Sequence, residues 1–164
     1  MSHKHLYEGK IGFAIIVTSD TRNFENDESG SIIKRLIEEY GYIVAYYDIV
    51  KNDKEKIKEK LEETLKNENV NVIIFSGGTG ISRRDVTVDA VKPLLEKELP
   101  GFGEIFRWLS YKEIGSAAIM SRAFAGIKNG KAIFCLPGSK NAVELAMKEI
   151  ILREAAHIMG EVNK

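Results

Sequence analysis

The stretch best equipped for chemistry is Ser76-Gly77-Gly78-Thr79-Gly80 with its continuation Ile81-Ser82-Arg83-Arg84-Asp85-Val86-Thr87. Glycines let backbone N–H groups approach an anion closely, and neighbouring hydroxyl and guanidinium groups add donors. Asp85 is a lone carboxylate among those donors, which calls for something positive beside it. No Lys-Ser or Lys-Thr follows the last glycine, so this is not a P-loop, and the spacing is not a dinucleotide fingerprint. A plain strand-to-helix connection with Thr87 or Asp85 as a cap fits the same letters.

Three other polar clusters could join it: Ser19-Asp20-Thr21-Arg22, Ser29-Gly30-Ser31 and Pro137-Gly138-Ser139. The serines and glycine at 29–31 open a helix, either as an ordinary cap or as free N–H groups facing an anion. Ser139 can cap a long closing helix.

The elements that must position these clusters are readable from periodicity. Ile11–Thr18, Val70–Phe75 and Ala132–Leu136 are apolar runs suited to strands buried on both faces. Tyr42–Val50 is a fourth strand of less regular alternation. Helices are expected from Ser29 to Gly41, from Lys54 to about Asn67 with Asp53 as cap, and from Asp89 to Leu95 with an interruption at Pro93. Pro100-Gly101-Phe102-Gly103 predicts a turn before a helix over 104–109, with Phe102, Phe106 and Trp108 in a core or subunit interface. Residues 112–130 hold small residues and glycine breaks, and only Ser121-Arg122 there suggests a ligand. The closing helix runs to Gly160. Residues 1–10 read as a polar tail, and 11–164 as one domain.

Alternating strands and helices specify an α/β fold, a three-layer α/β/α sandwich with a mostly parallel central sheet. Ligands in such sheets bind beyond the carboxyl ends of the strands, so three polar strand ends predict one crevice. Formal net charge is +0 and the sequence pI is 6.9, which gives no global attraction to nucleic acid or to a membrane. The single Cys135 excludes an internal disulfide, and the chain has no apolar signal core or span, so a cytoplasmic location is expected.

The crevice would gather Ser19, Asp20, Ser76 to Gly80, Ser82, Asp85, Thr87 and Ser139, with arginines 22, 83, 84 and 122 as neighbours. His3 and His5 lie in the tail and His157 in the last helix, so a histidine-activated nucleophile is not expected, and no Cys/His spacing suits zinc. What is left is a phosphate cradle with carboxylates, the inventory for Mg²⁺-assisted nucleotidyl transfer.

Ser76 to Gly80 with Arg84-Asp85-Val86-Thr87, then Pro100 to Glu104, Ser121-Arg122, Leu136 to Ser139, and the opening Ser19-Asp20-Thr21 with Asp27 to Gly30, resemble the molybdenum cofactor biosynthesis protein B and molybdopterin adenylyltransferase family. The resemblance runs through the chain after the tail. It implies a molybdopterin-binding fold in trimers or hexamers and MgATP-dependent adenylylation of molybdopterin, with transient contact to a metal-insertion protein. It implies that Gly77 to Gly80 hold nucleotide phosphates, that Asp85 carries Mg²⁺ or orients the attacking phosphate, and that Asp20, Ser29, Gly30 and Ser139 line the pocket with Pro137-Gly138. Members of this family usually carry two acids after the second strand, the first implicated in catalysis, where this chain has Asn52-Asp53. Asp53 could substitute for the first acid. Otherwise the resemblance implies a noncatalytic molybdopterin carrier. Val88 replaces a common proline, with a local effect expected.

Overall fold

The computed structural model describes residues 6–164. Six strands form one sheet in the order β2-β1-β3-β6-β5-β4. β1 (Gly12–Thr18), β2 (Ile43–Val50), β3 (Val72–Ser76) and β6 (Lys131–Leu136) run parallel. β5 (Phe124–Lys128) and the two-residue β4 (Lys97–Glu98) are antiparallel to their neighbours. β1 and β3 are buried along their whole length, as their unbroken apolar runs require.

One face of the sheet packs Phe13, Ile15, Val17, Val72, Ile74 and Phe134 against α1 (Glu28–Glu39), α4 (Pro100–Ile114), α5 (Lys140–Ala146) and α6 (Leu152–Val162). The other packs Ala14, Ile16, Ile73, Phe75 and Cys135 against α2 (Lys54–Leu65) and α3 (Thr87–Val91). No helix among the described residues is long and apolar enough to cross a membrane.

The irregular alternation of β2 has a physical cause. The register with β1 shifts between Phe13 and Ala14, so Val44 pairs with Phe13 while Tyr46 pairs with Ala14, leaving Ala45 as the extra residue. A bulge re-aims the side chains beyond it. Tyr46 therefore packs on the α2 face and Tyr47 on the α1 face.

Several boundaries differ from expectation. α1 is capped by Asp27, whose Oδ1 accepts from the Gly30 N–H at 3.0 Å, and Ser29 lies in its first turn. Residues 100–103 are the first turn of α4 rather than a separate turn. Pro100 sits where a helix needs no N–H, and Phe102 and Phe106 turn inward together. Trp108, by contrast, is 56% exposed. α3 begins at Thr87, earlier than expected, and passes into a 3₁₀ turn at Lys92–Leu94, where Pro93 withholds an N–H. Neither Asp85 nor Thr87 caps α3, because Val86 occupies the cap without a side-chain bond. The closing helix is interrupted by a π-helical stretch over Met147–Ile151, and Gly160 lies inside α6 rather than ending it. β4 and β5 were absent from the pattern. The tail expectation falls partly outside the described residues; from Leu6 on, Tyr7 donates its N–H to the Ala156 carbonyl at 2.9 Å.

Candidate functional site

All four parallel strands end at one edge, and the loops leaving them enclose a crevice of about 380 Å³. β1 and its turn supply Thr18, Ser19, Asp20, Thr21 and Arg22, β2 leads to Asn52, β3 to Gly77 and Gly78, and β6 to Gly138. Arg84 and Asp85 close it from the far side of the glycine loop. Backbone bonds stitch the strand ends together: Ser19 N–H to the Val50 carbonyl at 2.8 Å, and Gly77 N–H to the Leu136 carbonyl at 2.9 Å.

The glycine loop takes its shape from the threonines beneath it. Gly77 and Gly78 have φ of 105° and 73°, conformations that L side chains avoid. A Cβ on Gly77 would stand 2.6 Å from the Thr18 carbonyl oxygen. Thr87 is fully buried, donates its N–H to the Gly78 carbonyl at 3.1 Å, and directs its hydroxyl to Thr18 Oγ1 at 3.2 Å. Ser76 and Thr79 are buried below the loop, and Ser76 Oγ has no partner among the described residues.

Asp85 lies in the crevice wall. Its Oδ2 accepts from the Ser82 N–H at 2.9 Å and the Ser82 hydroxyl at 2.8 Å, while Oδ1 takes no hydrogen bond among the described residues. Gly80 is pressed against this carboxylate, for a Cβ there would stand 2.7 Å from Oδ2.

Asp20 is the second carboxylate of the crevice. The Asn52 N–H donates to its Oδ1 at 3.0 Å. That backbone bond, then the Asn52 side-chain amide, and then the nearby charges of Arg84 and Lys51 hold the Asp20 carboxyl below its ordinary range. Asn52 Oδ1 is buried and unpartnered among the described residues. Asp53 is placed otherwise: its carboxylate caps α2 by accepting from the Lys56 N–H at 3.0 Å.

The remaining expected residues support the crevice from beside it. Ser29 donates its hydroxyl to the Gly138 carbonyl at 2.6 Å, which joins the start of α1 to the β6–α5 turn. Gly30 lies under that start, so close to Asp27 and the Tyr47 hydroxyl that no side chain fits. Pro137 is half-buried at the end of β6, and Ser139 caps α5 through the Ala142 N–H at 3.3 Å.

Arg122 does not line this crevice but braces its loop from behind. Its Nε donates to the Gly80 carbonyl at 2.9 Å and its Nη2 to the Asp85 carbonyl at 2.9 Å, while both terminal nitrogens hold the Asp89 carboxylate at 3.2 Å. These bonds clamp the loop that carries Asp85, and Arg122 lowers the Asp89 carboxyl first among its causes.

Sequence reasoning gave no individual role to Asp27, Tyr47 or Arg22. Asp27 is 1% exposed, and its Oδ2 takes a short hydrogen bond from the Tyr47 hydroxyl. Burial, then this bond to the carboxylate, push the Tyr47 phenol well above its usual range. Arg22 Nη1 stands 3.7 Å from Asp27 Oδ1. The cluster depends on the β2 bulge turning Tyr47 toward α1, which no spacing in the sequence announces; Asp27 ahead of Ser29-Gly30 was its only local signal.

Chemically, the crevice combines the bare backbone of Gly77 and Gly78, the two arginines Arg22 and Arg84, the carboxylates of Asp20 and Asp85, and the Asn52 amide. No group of three or more His, Cys, Asp or Glu among the described residues could hold a metal ion unaided. A hard cation here needs ligand oxygens to complete its shell, the usual arrangement for Mg²⁺ bound with phosphates.

A family model described as "Probable molybdopterin binding domain" matches residues 14–157. The chain is 47% identical over 163 residues to molybdenum cofactor biosynthesis protein B of Bacillus subtilis (strain 168), covering 99% of this chain and 96% of that protein. A crystal structure of molybdenum cofactor biosynthesis protein B superposes with a TM-score of 0.92 at 46% identity, covering 96% of this chain and 98% of the other. The tungsten cofactor synthesizing protein MoaB from Pyrococcus furiosus does so with a TM-score of 0.87 at 38% identity, covering 96% and 100%. Strand order, glycine loop and crevice thus stand in a chain that belongs to the molybdenum cofactor biosynthesis protein B family, built on the molybdopterin-binding domain.

Proposed function

We propose that this protein acts in molybdenum or tungsten cofactor biosynthesis as a molybdopterin adenylyltransferase that uses ATP and Mg²⁺. The observation that carries the reading is the meeting, in one crevice, of the Gly77-Gly78 turn, two arginines and two carboxylates from loops distant in sequence.

The pterin brings its own nucleophile. An oxygen of its phosphomonoester forms a bond to the α-phosphorus of ATP, the bond from that phosphorus to the β-bridging oxygen breaks, and pyrophosphate leaves. The ionised phosphate needs no base, in keeping with a crevice that no histidine among the described residues lines. The protein's share is position and charge. Gly77 and Gly78 let the backbone approach phosphate oxygens, Arg84 offsets their charge, and Asp85, steadied by Ser82, would offer a carboxylate oxygen to the cation. Asp20 and Asn52 Oδ1 add donors from the opposite loops. Mg²⁺, when bound, neutralises charge on the triphosphate and on the departing pyrophosphate.

Purified protein incubated with molybdopterin, ATP and Mg²⁺ should form adenylated pterin and pyrophosphate, and Asp85→Ala should abolish both. A wild-type time course as flat as that of the variant would refute the assignment.

One observation favours a second reading, a noncatalytic molybdopterin carrier: position 52 supplies an amide bonded to Asp20 instead of a carboxylate. A carrier binds the pterin and leaves ATP intact. Self-association, as trimer or hexamer, belongs to either reading and is supported by apolar side chains exposed on α4 and the turn after it.

A further inference from the structure

The Arg22 side chain touches the start of α1, the β6–α5 turn and the crevice at once. Nη1 donates to Ser29 Oγ at 3.3 Å and to the Gly138 carbonyl at 3.5 Å, and stands 3.7 Å from Asp27 Oδ1. Nε and Nη2 make no hydrogen bond among the described residues, although the side chain is 38% exposed and lines the crevice. A guanidinium held by one edge keeps its other donors in a fixed fork, which suits the paired oxygens of a phosphate. Asp27 fixes the held edge, being itself locked by the Gly30 N–H and the Tyr47 hydroxyl.

The crevice has two cationic sides. Arg84 follows the glycine loop and leads into α3, on one face of the sheet; Arg22 is tied to α1 and to the turn before α5, on the other. In-line phosphoryl transfer needs charge compensation on both sides, for the triphosphate with its leaving group and for the incoming nucleophile. With the glycine loop, Asp85 and Arg84 on the triphosphate side, Arg22 is left for the nucleophile.

We propose that Arg22 anchors the phosphomonoester of the pterin substrate through Nε and Nη2, and so selects the phosphorylated pterin over its dephosphorylated form. This rests on the crevice being the pterin site, but not on turnover.

The test compares binding of molybdopterin and of the same pterin after phosphatase treatment, by intrinsic pterin fluorescence, to the wild type, Arg22→Ala and Arg22→Lys. A charge-assisted fork predicts that wild type prefers the phosphorylated form by about tenfold or more. Arg22→Ala should bind both forms alike, at the wild-type affinity for the dephosphorylated pterin, and Arg22→Lys should recover part of the preference because it keeps the charge beside Asp27. An unchanged ratio in Arg22→Ala, equal binding of both forms by wild type, or no pterin binding at all would overturn the proposal. A wild type that shows the preference but never forms adenylated pterin would sink the adenylyltransferase reading and leave Arg22's role supported.

Discussion

Thr87 occupies the space that a side chain on Gly78 would need. The two residues share a backbone bond of 3.1 Å, Gly78 has a φ of 73°, and a Cβ placed on Gly78 would overlap the Thr87 hydroxyl. The crevice floor is therefore set by a steric fit between the glycine loop and α3. Gly78→Ala forces a left-handed backbone on alanine and drives Cβ into Thr87, and should cost roughly 2 kcal/mol or more. Urea unfolding measures the cost. Adding Thr87→Ala removes the obstructing hydroxyl, so the double variant should recover part of the loss seen in the single one; strict additivity would show that the contact does not set the loop.

Arg122 and Asp89 give a pH-dependent brace to the same loop. The folded protein holds the Asp89 carboxyl below its ordinary value, chiefly through the Arg122 bonds. A lowered carboxylate contributes stability that is full above its unfolded pKa, about 3.9, and is lost as pH falls through the lower folded value. Wild type should exceed Asp89→Asn in urea midpoint by a constant margin above about pH 5, and the margin should close below about pH 4. A margin independent of pH would mean that the ion pair adds nothing.

The Asp20–Asn52 pairing predicts how a cation is felt at the crevice. Asn52→Asp replaces the donating amide with a second carboxylate beside Asp20, so like charges meet unless a cation lies between them. The variant should melt below wild type in chelator and gain more than wild type from millimolar Mg²⁺, as a binder of the folded state does. Equal gains in the two proteins would place Asp20 outside any cation site.

Much of this architecture could be read in the letters because the parallel strands are buried on both faces, so their apolar runs are unbroken. β5 escaped because Ala125 and Gly126 give no strong strand signal, yet Asn129-Gly130 between it and β6 adopts positive φ at both residues, 49° and 71°, the signature of a tight hairpin. The crevice residues were legible as polar clusters at strand ends. Which way each pointed was not. Asp53 and Arg122 have the right chemistry, but the first satisfies a helix end and the second satisfies carbonyls, because orphaned backbone groups compete for the same side chains.

Trp108 argues for a second copy of the chain. Ile105 at 53%, Trp108 at 56% and Ile119 at 82% exposure lie on α4 and the 3₁₀ turn that follows it, with Lys112 4.7 Å above the indole and Tyr111 stacked beside it. Large apolar side chains grouped on one face mark an interface more often than chance exposure. Wild type should scatter light at micromolar concentration as a multiple of 18.4 kDa. Trp108→Glu places a charge in that contact and should shift the mass toward 18.4 kDa while the far-UV spectrum stays unchanged, since the side chain supports no core of its own subunit. A wild type that already scatters as a monomer would remove the interface, and the apolar stripe would then need another occupant.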